Sequence, residues 1–111
     1  MSTPMVICWE RQWSIDTGAV TEPLECGWST ASTWWLEIRD APEPTPVRLV
    51  VEASPHGRSW HPVTEYEQPI QAGQLILLDQ VPAHPYLRIR CASGVPGASG
   101  TVFVSFAPVA Q

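Results

Sequence analysis

Three histidines, three cysteines and a handful of carboxylates are the residues of this chain that could carry out chemistry. His56 and His61 bracket the loop His56-Gly57-Arg58-Ser59-Trp60-His61, and His84 stands apart from them. A metal centre would need further Cys or carboxylate ligands close by, and the local sequence offers none, so no metal is expected. Ser59 or Cys91 could be paired with a histidine as nucleophile and base, yet there is no G-x-S-x-G elbow or other local catalytic pattern. Glu65 and Glu67 lie two apart on one strand and could point together, but two acids at that spacing usually face solvent. Lysine and asparagine are absent throughout, which excludes lysine Schiff-base chemistry, a lysine-dependent phosphate loop and N-linked glycosylation. The expectation is a chain that is not an enzyme and carries no cofactor.

Cys8, Cys26 and Cys91 are an odd number at wide separations, without a C-x-x-C pair. A disulfide framework is not expected. Cys91 follows Leu87 and Ile89 in phase and reads as a small core residue.

Six tryptophans in 111 residues are the unusual feature. Trp34 is in phase with Leu36 and Ile38 and reads as core. Trp35 is out of phase, beside Glu37 and Arg39, so it is either covered by another segment or part of an exposed aromatic patch. Trp9, Trp13 and Trp28 fall in the less regular first third of the chain. Tryptophan removes much apolar area from water while keeping an N–H for a partner, which makes Trp9, Trp13, Trp28 and Trp35 the candidate interaction residues.

The elements that would position these residues read as strands. Val47, Leu49, Val51 and Ala53 alternate with Arg48, Glu52 and Ser54, with Val50 as the exception. Leu87, Ile89 and Cys91 alternate with Tyr86, Arg88 and Arg90. Trp34, Leu36 and Ile38 alternate with Trp35, Glu37 and Arg39, and Val102, Val104 and Phe106 with Thr101, Phe103 and Ser105. These are period-two patterns of half-buried antiparallel strands. Weaker windows are 7–15, 18–25, 60–66 and 75–78. The last is uniformly apolar and is expected to be buried on both faces. Pro62 confines 60–66 to a sheet edge or a strand start.

Twelve prolines and intervening turn segments deny the chain a long helix. The expectation is an all-β fold: one antiparallel two-sheet β-sandwich, Ig-like or jelly-roll, with seven or eight short strands. It forms a single domain over 1–111, with arms at 1–5 and 107–111 available to grip a neighbour.

The net charge is -5, and all six basic residues are scattered arginines, a field that disfavours nucleic acid as a partner. No segment approaches the apolar length that spans a bilayer, and residues 1–7 have neither the basic nor the apolar region of a signal peptide. The chain is therefore expected to be made and used without an export signal of its own and to have no membrane partner.

One stretch is more specific. Val50-Val51-Glu52-Ala53-Ser54-Pro55-His56-Gly57-Arg58-Ser59-Trp60-His61-Pro62-Val63 resembles the V-x-x-S-x-D-G-x-x-W-x-x-V hairpin of small β-sandwich modules in tailed-bacteriophage virion proteins, with His56 in place of the usual Asp. Gly18-Ala19-Val20-Thr21-Glu22-Pro23-Leu24 resembles the strand entry upstream in those modules. Tyr86-Leu87-Arg88-Ile89-Arg90 followed by Gly100-Thr101-Val102-Phe103-Val104 resembles their closing pair. The resemblance implies a structural protein of the virion, a head decoration or cement protein that binds the major capsid or other virion proteins as a trimer or dimer. A neck, tail or fibre-associated role is the near alternative. A carbohydrate-binding sandwich, with Trp35, Trp60 and Tyr66 stacking on a glycan, is the third reading.

Overall fold

A computed structural model describes residues 5–107; most of both expected arms, 1–4 and 108–111, lies outside the described residues. Eight strands follow in order: β1 (Met5–Ser14), β2 (Leu24–Glu25), β3 (Ala31–Asp40), β4 (Thr45–Ser54), β5 (His61–Ile70), β6 (Leu75–Pro82), β7 (Tyr86–Ser93) and β8 (Ser99–Ala107). The four well-patterned windows are β3, β4, β7 and β8, each extended by one or more residues. The described residues form no helix.

Two four-stranded sheets have the orders β1-β8-β3-β6 and β2-β7-β4-β5. The pairs β4·β5, β3·β6, β2·β7 and β1·β8 are nested, as if one long hairpin with its tip between β4 and β5 had been rolled up; β3·β8 and β4·β7 then close each sheet. This nesting is the jelly-roll connection, which decides between the two architectures left open by the sequence.

The core lies between the sheets. Trp34, Leu36 and Ile38 meet Val102, Val104 and Phe106 within one sheet and face Val47, Leu49, Val51, Leu87, Ile89 and Cys91 of the other. Each strand supplies alternate residues because its side chains switch faces at every step. Gly94 and Gly100 permit close passage: a Cβ on Gly94 would stand 2.2 Å from the Ile15 carbonyl oxygen, and one on Gly100 2.7 Å from that of Glu37.

Three expectations need correction. Leu75–Leu78 is not buried on both faces: Ile76 and Leu78 are buried, whereas Leu75 is 56% and Leu77 53% exposed. The reason is that β6 is an edge strand whose outer face no described element covers. Glu52 has the outward phase expected of it but is only 5% exposed, because Arg88 and Arg90 on β7 close over it. Trp13, offered as a contact residue, is a core side chain at 5% exposure. It shares the inward phase of Ile7, Trp9 and Ile15, and the two register shifts in β1 together leave that phase unchanged.

The hairpin tip is built as its sequence suggests. Ser54 Oγ accepts from the backbone N–H of His56 (3.2 Å) and Gly57 (2.8 Å), and His56 Nδ1 accepts from the Arg58 N–H at 3.0 Å. Gly57 takes φ 82°, which a side chain would resist. Pro62 falls on edge strand β5, where a register shift absorbs its missing donor.

Candidate functional site

The outer faces of the two sheets differ in chemistry. On β2-β7-β4-β5 the outward positions are saturated with charge. The two Glu52 carboxylate oxygens accept from Arg88 Nε (2.9 Å) and Arg90 Nε (3.0 Å). Arg48 pairs with Glu65 at 2.8 Å. The Arg88 guanidinium lies 4.2 Å over the Trp60 ring, a cation–π contact that tethers the hairpin tip to the sheet. Val50, the exception to the β4 alternation, is buried on this face between its register partners Arg90 and Glu65.

On β1-β8-β3-β6 an apolar row crosses outward positions that otherwise include Thr33, Glu37, Arg39, Thr101 and Ser105. Register places Cys8 of β1 opposite Phe103 of β8, Phe103 opposite Trp35 of β3, and Trp35 opposite Leu77 of β6. These four side chains form one row across the whole sheet. Val6, at 61% exposure, and Leu75 flank it. Val6, Trp35, Glu37, Leu75, Phe103 and Ser105 line a shallow groove of about 410 Å³. Trp35 keeps only a long contact from its indole N–H to Ser105 Oγ, at 3.5 Å. Among the described residues, three of the five large exposed apolar side chains, Val6, Leu75 and Leu77, are gathered here; the others, Val20 and Trp28, lie in the segments between β1 and β3. A contiguous bare apolar patch marks a contact surface, whereas single exposed apolar residues are ordinary.

The four candidate tryptophans are not brought together. Trp35 sits in the apolar row. Trp9 is half-buried against the core, and its indole N–H donates to the Glu22 carbonyl at 2.7 Å. Trp28 is 45% exposed, with its ring tilted 43° against Phe106 at 4.7 Å. The indole N–H of Trp13 finds no acceptor among the described residues. Sequence reasoning missed Cys8, Val6, Leu75 and Leu77. For Leu75 and Leu77 the signal was the absence of any polar residue in the outward phase of 75–78, but the meeting of all four depends on β8 lying between β1 and β3.

The remaining chemistry is dispersed. Among the described residues no group of three or more His, Cys, Asp or Glu is arranged to hold a metal ion. His61 and His84 share a pocket of about 200 Å³ with Ser54, whose hydroxyl oxygen already accepts two turn N–H groups. Cys91 is sealed in the core, and burial pushes its thiol above the ordinary value. Burial, reinforced by Glu25, pushes Cys26 up to about 11. Neither is a ready nucleophile. All three cysteines are free thiols, and Cys8 alone is exposed. The sugar-binding suspects stand apart: Trp35 on the apolar face, Trp60 against Arg88, and Tyr66 packed on the core. No helix among the described residues is long and apolar enough to cross a membrane.

No protein-family model matches the chain, and no curated protein matches it. Among solved structures it is similar to a chain from the Bacillus endospore appendages, described as a novel family of disulfide-linked pili. The TM-score is 0.57 over 96% of this chain and 88% of that one, at 12% identity. At that identity the likeness establishes a shared fold, a small β-sandwich found in a protein that builds an appendage.

Proposed function

We propose that this chain is a non-enzymatic structural protein that works by protein–protein contact, and that it belongs to a bacteriophage particle as a head decoration or cement protein. The observation that carries the structural reading is the apolar row Cys8–Phe103–Trp35–Leu77, flanked by exposed Val6 and Leu75, on one outer face of the sandwich. Burying such a row against a neighbour removes apolar area from water, the main favourable term in protein–protein association. The virion assignment is supported by the Ser54–Trp60 hairpin tip, whose turn hydrogen bonds and Arg88-stacked tryptophan give the resemblance a structural basis. The partners in this reading are the major capsid protein or another virion protein, with a neck or tail position as the near alternative.

A second reading, a subunit of an extracellular filament, is favoured by the fold shared with the endospore appendage chain and by the exposed Cys8 thiol on an edge strand. Immunogold labelling separates the two. An antibody raised against the chain is applied to particles and filaments purified from cultures of the bacterium that carries the gene. Regular labelling of phage heads is expected; labelling along filaments favours the second reading, and absence from every assembly overturns both.

A further inference from the structure

We infer that the Ser99 end of the β1-β8-β3-β6 sheet carries a carboxylate-binding site, in which Arg11 and Arg39 grip the ligand and Thr101 holds the two arginines in place. The site goes beyond the assembly reading and stands without it, since its ligand is named by charge and geometry and not by any particle.

The strand pattern alone would hide Arg11. Odd-numbered residues of β1 take the inward phase, as Ile7, Trp9 and Trp13 do, and a regular strand would send Arg11 with them. Two register shifts prevent this. Cys8 stands opposite Phe103, but after the first shift Glu10 stands opposite Val102, which is buried between the sheets. Register partners share a face, so Arg11 falls on the outer face beside Thr101, and the second shift returns Trp13 to the core opposite Gly100. Arg11 is accordingly exposed. Bulges that re-aim a side chain are concentrated at sheet edges and beside functional sites.

Thr101 ties this arginine to a second. Its side chain is buried, and its Oγ1 donates to the Arg11 carbonyl oxygen at 2.8 Å while accepting from Arg39 Nε at 3.0 Å. One hydroxyl thus fixes both the bulged backbone that presents the first guanidinium and the second guanidinium itself, which lowers the ordering cost of gripping a ligand. The arginines come from the two strands that flank β8, each about 4.8 Å from it, a gap that arginine side chains span. With Gln12, Asp40 and Ser99 they line a cavity of about 330 Å³.

The balance of charge selects the ligand. The lining sets two guanidinium groups against one carboxylate, on a chain whose total is -5. Asp40 does not cancel them: it accepts from Ser99 Oγ at 3.4 Å and forms no ion pair with either arginine among the described residues. Arg39 Nη2 pairs with Glu37 at 2.9 Å. Its other terminal nitrogen and the whole Arg11 guanidinium have no acidic partner among the described residues, whereas Arg48, Arg88 and Arg90 are all paired on the other sheet. A planar N–H fork matches the two oxygens of a carboxylate. A free organic acid and the Glu or Asp side chain of a neighbouring protein present that same group.

Heteronuclear NMR of the arginine Nε–H groups in the full chain, at fixed ionic strength, tests the site with two probes of equal charge. Butyrate stands for a free acid and N-acetylglutamate α-amide for a carboxylate borne on a peptide. The Arg11 and Arg39 signals are expected to shift saturably with one shared Kd on the order of 1 mM, as suits exposed ion pairs. Arg11→Gln should weaken binding roughly tenfold, while Arg58→Gln, the same charge change at the exposed hairpin tip, should leave it unchanged. Asp40→Asn should tighten binding about threefold by removing a like charge from the lining. Thr101→Val should weaken binding with both arginines still present; should that variant fail to fold, Arg11→Gln decides, since its position is exposed. Shifts that do not saturate by about 50 mM, an equal response from Arg58, or undiminished binding by Arg11→Gln would each overturn the inference. Tighter binding of the peptide-borne probe points to a protein carboxylate as the ligand, and tighter binding of butyrate to a free acid; either result supports the site.

Discussion

Trp35 of β3 and Leu77 of β6 are register partners on the outer face of one sheet, Trp35 half-buried and Leu77 more than half exposed. A cross-strand pair of this kind is ordinarily worth a few tenths to 1 kcal/mol to a sheet. Here it also leaves more than half of Leu77 in water, a cost that an assembly partner would relieve. The outer face of the other sheet is organised differently. There Glu52, Arg88, Arg90, Arg48 and Glu65 are mutually paired.

Glu52 is the keystone of that charged face. Removing its carboxylate leaves two guanidinium groups without their shared acceptor, and both retain some contact with water, with side chains 20% and 37% exposed. Glu52→Ala should therefore destabilise the fold by about 2 kcal/mol, less than a fully buried pair would lose. Arg90→Ala should cost less, because Arg88 keeps both Glu52 and the Trp60 ring. Urea denaturation of the three proteins checks the order.

Gly94 and Gly73 make a second comparison. Gly94→Ala would drive a methyl group into the Ile15 carbonyl and to 2.8 Å from Cys91 Sγ, so a loss of about 3 kcal/mol is expected as the core is overpacked. Gly73 has open space around it and φ 86°. Its alanine variant should lose only about 1 kcal/mol, the strain of left-handed backbone. Thermal unfolding of the two variants should separate them clearly.

The alkaline limb of stability should be set by buried acids. Cys26 is raised from its ordinary 9.0 to about 11, chiefly by burial and then by Glu25. Cys91 and Tyr66 are raised in the same direction, with burial again the largest cause. In each case the unfolded chain gives up its proton first. The Cys26 contribution is therefore complete below pH 9 and is lost as pH rises from 9 to about 11. Urea midpoints measured from pH 8 to 11 should fall across that window, and Cys26→Ala should flatten the fall.

Much of the sandwich was legible because period-two alternation in β3, β4, β7 and β8 is a direct consequence of side chains switching faces. Trp35 was legible as an outlier for the same reason: its phase opposes that of Trp34. Leu75–Leu78 misled because a continuous apolar run has no phase of its own, so only strand order shows that half of it is bare. Glu52 misled in the opposite sense, since its cover comes from β7, far along the chain. The row through Cys8, Phe103, Trp35 and Leu77 had no linear signature at all. It draws one residue from each of four strands whose neighbour relations are set by the rolled-up hairpin.

The most direct measurement of the assembly role is re-addition. In the proposed virion role, phage particles prepared without this chain are mixed with wild-type, Leu77→Asp or Val20→Asp protein and pelleted. If the apolar face drives assembly, wild type and Val20→Asp rebind to a common saturation level while Leu77→Asp stays in the supernatant. Equal rebinding by Leu77→Asp would contradict the account and place the contact elsewhere on the molecule.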